Sequence, residues 1–234
     1  MKIAIIPARG GSKRIHRKNV KLFAGVPMIV RSIRTALESG CFDRVVISTD
    51  DDAIAGTALA EGAEVPFRRP AELSDDHTPT VPVIRHALEF MLDRGEKIEA
   101  ACCIYATAPF MRADDLRAAH DLFCASDADY VFAATEFAFP IQRAIRLGPQ
   151  GEIGMFHPQY QDSRSQDLEP AYHDAGQFYW GRTSAWLAGT PIFGPKSRIH
   201  LMPRSRVQDI DTPEDWRQAE LMLKALEAAP EAEG

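Results

Sequence analysis

Short apolar runs alternate with amphipathic stretches of helical length along the first 135 residues. This alternation constrains the fold more than any other feature. The runs are 1–8 (MKIAIIPA), 44–48 (RVVIS), 64–67 (EVPF), 100–105 (AACCIY) and 130–135 (YVFAAT). Brief and mostly uncharged, they suit strands covered on both faces. Between the first two, Met28, Ile29, Ile33, Ala36 and Leu37 recur at helical spacing behind Gly25-Val26-Pro27, and Gly40 stops the helix. Thr49-Asp50-Asp51-Asp52 supplies N-cap chemistry for a helix over 53–61. Residues 80–94 are amphipathic and closed by Gly95, and 114–124 follow the fourth run as a helix. A βαβαβαβαβ order predicts an α/β fold with a mostly parallel sheet wound by helices. At 234 residues the chain suits one such domain, 1–234.

The texture changes near Glu136. Residues 136–182 are rich in Pro, Gly, Gln and aromatics and contain short alternating segments at 144–147 and 153–156. They predict an antiparallel hairpin inserted into the domain. Phe137, Phe139, Phe156, Phe178 and Trp180 are expected to pack, and His173 to be a hydrogen-bonded structural histidine. The α/β pattern resumes at 184–187, with a strand over 207–210 and a helix over 213–226. The polar residues 227–234 (EAAPEAEG) read as a flexible tail. No apolar run approaches the roughly 18–20 residues of a membrane span, and 3–6 is too short for a signal peptide. Four cysteines without CxxC spacing predict neither disulfide nor zinc, as in a reduced cytoplasmic protein.

Charge divides the chain unevenly. Residues 1–37 hold nine bases and no acid, whereas the remainder carries −15, giving −6 overall. An acidic body argues against a nucleic-acid coat. A basic segment on that body fits a small, highly charged anion. Arg9-Gly10-Gly11-Ser12-Lys13-Arg14 follows the first strand directly, and parallel sheets bind ligands beyond the carboxyl ends of their strands. The glycines let backbone N–H groups approach phosphate oxygens, and Arg9 and Lys18 supply charge for a triphosphate and its cleavage. The spacing is neither GxxxxGK[ST] nor GxGxxG, so an ATPase loop and a dinucleotide fingerprint are both unsupported. A solvated basic turn is the alternative. His16 fits either a phosphate contact or a solvated loop histidine.

Near the other end, Asp209 and Asp211 stand two apart before Thr212-Pro213. On an extended segment they face one side and suit Mg²⁺ shared with substrate phosphates. Equally, Asp211 or Thr212 could cap the helix that Pro213 opens. Spacing alone leaves both readings open.

Ile6-Pro7-Ala8-Arg9-Gly10-Gly11-Ser12-Lys13 with Arg17-Lys18-Asn19 resembles the signature loop of the CMP-sialic acid synthetases, cytidylyltransferases for acidic nonulosonic sugars. The resemblance continues in order through Phe23-Ala24-Gly25-Val26-Pro27-Met28, Ser48-Thr49-Asp50, Arg69-Pro70-Ala71-Glu72-Leu73 and Asp209-Ile210-Asp211-Thr212. Longer strings, among them 104–110 (IYATAPF), 164–167 (RSQD) and 172–180 (YHDAGQFYW), are most similar to the branch acting on pseudaminic acid. It implies a Rossmann-like nucleotidyltransferase fold of α/β/α layers, an inserted dimerisation arm and a homodimer. CTP and an acidic nine-carbon sugar would be the substrates, with Mg²⁺ on Asp209 and Asp211. Arg9, Lys18 and Asp211 would be catalytic. Ala8, Gly10, Gly11 and Ser12 would line the triphosphate, Asn19 would read the cytosine edge, and Arg69 and Thr80 would contact the nucleotide.

His16 departs from the proline that many relatives carry. The sugar's carboxylate calls for a cation, for which Arg164 and Arg143 are candidates, and Gln142, Gln166, Asp174, Gln177 and Tyr179 offer polar contacts. Tyr105 stands where sialic acid enzymes carry Gln, and Asp174 where Asn is common; both point away from ordinary sialic acid. Each arm residue also fits packing of the hairpin or a subunit interface. The same transfer to N-acetylneuraminic, legionaminic or keto-deoxyoctulosonic acid is the nearest alternative. A nucleotide-sugar glycosyltransferase or a non-catalytic nucleotide or RNA binder is more distant.

Overall fold

The computed structural model describes residues 1–228. Strand β1 (Lys2–Pro7) leads through the basic loop to a small ribbon of β2 (Leu22–Phe23) and β3 (Val26–Pro27), then α1 (Met28–Ser39). Next come β4 (Arg44–Ser48), α2 (Asp52–Ala60), α3 (Thr80–Leu92), β5 (Ala100–Ile104), α4 (Ala113–Cys124) and β6 (Tyr130–Glu136). A hairpin of β7 (Ile145–Leu147) and β8 (Ile153–Met155) precedes β9 (Tyr172–Arg182). The chain closes with α5 (Thr183–Ala188), β10 (Ser197–Leu201) and α6 (Pro213–Ala228).

Six strands form the main sheet in the order β10-β6-β9-β5-β1-β4. Alternate residues of β1 face opposite ways, as the two-residue period of a strand requires. Ala4 and Ile6 join a core with Ile29, Ile33, Ile54 and Leu116 from α1, α2 and α4. Ile3 and Ile5 join a second core with Ile84, Leu88 and Trp186 from α3 and α5. Helices on both faces give the expected α/β/α layering. Gly40 ends α1 in the left-handed region, at φ 66°, where glycine carries no Cβ penalty. Asp51 caps α2 by accepting from the Ala53 and Ile54 amides at 2.8 and 2.9 Å.

The sheet is mixed, and the reason is β9. Strand β9 runs antiparallel between β5 and β6, although its sequence falls within the expected insertion. Ala175, Phe178, Tyr179 and Trp180 are buried there, so the excursion from the sheet covers 137–171 rather than 136–182. Within that excursion β7 and β8 pair antiparallel, close to the expected segments. Of the expected third strand only a single bridge between Val46 and Glu64 forms; Pro66 has no N–H to continue a ladder. The expected strand over 207–210 is irregular. The parallel edge beside β6 is taken instead by β10, whose residues pair from Ser197 with Tyr130 to Leu201 with Ala134. Phe178 and Trp180 pack in the interior as expected. Phe139 and Phe156 do not, being 82% and 59% exposed on the arm. Glu227 and Ala228, assigned to the tail, are the last turn of α6, and the rest of that tail lies outside the described residues.

Candidate active site

A cavity of about 270 Å³ opens beyond the carboxyl ends of β1 and β5, between the basic loop, the start of α3 and the segment before α6. The loop is tied down by its own polar groups. The Gly10 amide donates to Asp50 Oδ1 at 2.9 Å, and Asn19 Nδ2 donates to the Arg9 carbonyl at 2.9 Å. A Cβ on Gly10 would stand 2.9 Å from Asp51 Oδ2 and 3.0 Å from its Cβ, so a larger residue would push on the cap of α2. Gly11 has open space around it; its position is not sterically reserved for glycine. Ala8 is buried and donates its amide to the Ser48 carbonyl at 2.9 Å, which makes it scaffold beneath the loop. Ser12 lines the cavity, and His16 is exposed.

Cations converge on this space and are held by carboxylates. Arg9 meets Asp76 at 2.5 Å, and Lys13 pairs with the same carboxylate. Lys18 Nζ donates to the Ile210 carbonyl at 2.7 Å and lies 3.3 Å from Asp211 Oδ1. Arg14 Nη2 donates to Asp211 Oδ2 at 2.8 Å. Deeper, Arg69 is 6% exposed. Its Nε donates to Ser48 Oγ at 3.1 Å and its Nη2 to the Ser48 carbonyl. Burial, only partly offset by the Asp50 charge, pushes its guanidinium down to about 10, so Arg69 carries a charge that an incoming anion would stabilise.

The wall toward α3 is aromatic and polar. Tyr105 and Thr80 line the cavity with their hydroxyls 3.1 Å apart. Behind them the Tyr105 and Tyr179 rings lie 5.4 Å apart, and Tyr179 donates its hydroxyl to Asp174 Oδ2 at 2.5 Å. Burial raises the pKa of both phenols, which keeps them protonated donors. A bulge creates this arrangement: pairing jumps from Phe132–Tyr179 to Ala134–Asp174. Gly176 turns the bulged strand at φ 61° and donates its amide to Asp174 Oδ1 at 2.9 Å.

Other expected sugar contacts stand elsewhere. Gln177 is buried and spends its amide on the Arg206 carbonyl at 2.7 Å. On the arm, Gln142 donates to the Glu169 carbonyl, and Arg164 forks onto Asp167 at 2.7 and 3.1 Å. Arg143 is exposed there, and Gln166 lines a separate groove beside Phe139 and Arg204. One chain does not bring these four to the cavity lined by Arg9.

Asp211 borders the cavity, and Asp209, two residues back, is more exposed. Burial and then the Asp211 charge push the Asp209 carboxyl up. Among the described residues no group of three or more His, Cys, Asp or Glu could hold a metal ion. Two hard oxygen donors are what a Mg²⁺ ion completed by substrate phosphates uses, so the pair fits that ion and no self-contained protein cage. Of the two residues expected as a possible cap, Thr212 takes that place: its Oγ1 accepts from the Asp215 amide at 3.2 Å, while Asp215 Oδ2 accepts in return from the Asp211 and Thr212 amides at 3.1 and 2.7 Å; the Asp211 carboxylate is thereby left facing the bases. Arg14 and Asp76 belong to the site yet were not singled out by motif reading. Arg14 was legible as the last residue of the RGGSKR run, whereas Asp76 sits in a polar turn with no pattern of its own.

A family model described as Cytidylyltransferase matches residues 3–140. Over 222 residues the chain is 46% identical to a pseudaminic acid cytidylyltransferase of Campylobacter jejuni, covering 95% of this chain and 96% of that one. It is 27% identical over 234 residues to the CMP-N,N'-diacetyllegionaminic acid synthase of Legionella pneumophila, covering 97% and 98% of the two chains. Among solved structures, a CMP:2-keto-3-deoxy-manno-octonic acid synthetase complexed with CTP superposes with a TM-score of 0.70. That match covers 97% of this chain and 99% of the other at 15% identity, a likeness of fold.

Proposed function

The chain belongs to the cytidylyltransferase family, and on that premise we propose that it transfers CMP from CTP to the 2-hydroxyl of pseudaminic acid, releasing pyrophosphate. The observation that carries this reading is the convergence of Arg9, Lys13, Arg14, Lys18 and Arg69 on one cavity at the strand ends. The choice of sugar is supported by the extended identity to the Campylobacter enzyme. Arg9 and Lys18 would grip the triphosphate and stabilise the charge that grows on the departing pyrophosphate. Asn19 has one of its two amide hydrogens on the Arg9 carbonyl; its carbonyl oxygen would accept from the cytosine amine. Tyr105, with Tyr179 and Asp174 behind it, would bound the sugar. Asp209 and Asp211 would hold Mg²⁺, which supplies Lewis-acid neutralisation of phosphate oxygens when bound. The sugar hydroxyl would attack the α-phosphorus in line, displacing pyrophosphate with no covalent enzyme intermediate.

A pyrophosphate-release assay tests this directly. With CTP and Mg²⁺, pseudaminic acid should give a kcat/KM at least about tenfold above N-acetylneuraminic, legionaminic or keto-deoxyoctulosonic acid, since a polar contact in a pocket discriminates by that much or more. A faster rate on another of these sugars would move the specificity. Silence with all of them would remove the function, and sugar transfer without pyrophosphate would mark a glycosyltransferase.

The working unit would be a homodimer joined through the arm, where Phe139, Leu147 and Ile153 are 82%, 76% and 72% exposed. Apolar side chains so placed on one arm suit an interface, and a partner's arm could bring Arg143 or Arg164 to the sugar. Sedimentation should give a dimer at micromolar protein, and Leu147→Asp combined with Ile153→Asp should give a folded monomer; a parent protein that sediments as a monomer would end this reading. Four free cysteines, three of them buried, suit a reducing cytoplasm. Among the described residues no helix is long and apolar enough to cross a membrane.

A further inference from the structure

The segment carrying Asp209 and Asp211 has no regular structure between the single turn 204–206 and α6. It must nevertheless keep two repelling carboxylates near the bases of the first loop. Its middle is fastened by Ile210, 1% exposed among Ile15, Phe23, Phe110 and Trp216. Its start is fastened by Arg206. That guanidinium forks onto Asp115, with Nη2 at 2.9 Å from Oδ1 and Nη1 on Oδ2. Nη1 also reaches the Phe110 carbonyl at 3.4 Å, and the Arg206 carbonyl accepts from Gln177.

Asp115 lies in the first turn of α4, 6% exposed. Besides Arg206 it accepts from the Arg112 amide at 2.9 Å and lies 3.3 Å from His200 Nε2 on β10. Burial opposes its charge, but the bonds from His200, Arg206 and the Arg112 amide outweigh that cost and hold the carboxyl well below the usual carboxylate range. Neither Asp115 nor Arg206 borders the cavity. A buried ion pair gains little stability over an apolar pair of similar volume. What the fork does supply is a fixed direction for the two residues, Val207 and Gln208, that separate Arg206 from Asp209.

We propose that Asp115 and Arg206 are positioning residues that set where Asp209 and Asp211 stand relative to Lys18, and thereby set how tightly the nucleotide-bound site takes its divalent cation. This rests on the reading of the two aspartates as cation ligands. Outer residues that orient metal ligands typically govern affinity by about 10–100-fold.

The test is Mn²⁺ binding to the full-length protein with a non-hydrolysable CTP analogue, read by the electron paramagnetic resonance of free Mn²⁺. Asp115→Asn should weaken Mn²⁺ about tenfold, while kcat at saturating cation stays within about threefold of the parent. Asp115→Asn with Arg206→Met leaves no orphaned charge and should give the same shift if the single variant folds poorly. Arg206→Lys keeps the charge without the fork and should fall between. Parent-like Mn²⁺ affinity in the folded variants would overturn the proposal. Asp211→Asn separates the two claims: if it too binds Mn²⁺ like the parent, the ligand reading itself fails; if it alone loses Mn²⁺, only the positioning role fails.

Discussion

Replacing Arg9 with alanine is expected to lower kcat/KM for CTP by about 10²–10³-fold while leaving the fold intact. The size follows from what the side chain would do. A preorganised cation aimed at charge that develops in the transition state is worth about 3–4 kcal/mol when removed. The intact fold follows from what Arg9 does in the free protein. Its side chain is 32% exposed and its ion pair is with Asp76, itself 26% exposed and still held by Lys13. Partly exposed pairs of this kind contribute about 0–1 kcal/mol, so the thermal midpoint should move by no more than about 2–4 °C for a chain of this length. Asp76 sharpens the expectation, because the triphosphate must compete with it for the guanidinium. Arg9→Lys should recover part of the rate, with the charge kept and the bidentate geometry lost. Retention of more than a tenth of parental kcat/KM by Arg9→Ala would take Arg9 out of the chemistry.

How much of this site was legible in the sequence depended on whether a group's partners lie nearby in the chain. The strand ends and the RGGSKR run share one local pattern, so the phosphate loop and the α/β layering follow from periodicity and turn chemistry. Strand β9 did not. Its buried Phe178-Tyr179-Trp180 follows a polar, glycine-containing stretch, because the bulge at Gly176 breaks the two-residue alternation that marks a strand. An antiparallel strand inserted between two parallel neighbours is a tertiary fact with no local signal. The same holds for the acidic segment. It was expected as a strand, yet its direction comes from Arg206 gripping Asp115, 91 residues away. Gln177 shows the converse case: expected as a polar contact to the sugar, it has its amide nitrogen on the Arg206 carbonyl in this chain. Polar residues in a functional string serve either the ligand or the backbone that frames it, and only the fold decides which.

Arg69→Met is expected to separate stability from binding. In the free protein the Arg69 guanidinium is nearly fully buried and has Ser48 as its contact, with Asp50 attracting it from farther off and Arg9 repelling it. Burial lowers it from 12.5 to about 10, which corresponds to roughly 3 kcal/mol of unfavourable free energy in holding the charge at neutral pH. The sign is that of a depressed base: the penalty is fully present at neutral pH and is relieved as pH rises through about 10. Methionine has a similar reach and no charge to desolvate, but gives up the bonds to Ser48, worth about 1 kcal/mol each or somewhat more for a charged donor. These terms nearly cancel. The thermal midpoint of the free protein should therefore hold or rise slightly. Binding should respond differently. A triphosphate or ribose oxygen within reach would meet a cation already stripped of water, so losing it should weaken CTP about a hundredfold by calorimetry. The CTP-induced rise in thermal midpoint should shrink accordingly, because stabilisation by a ligand falls with the logarithm of its affinity. Unchanged CTP affinity would make Arg69 a clamp between β4 and the segment after it. A fall of more than about 10 °C in the free protein would show that the Ser48 bonds outweigh the buried charge, reversing the balance of terms.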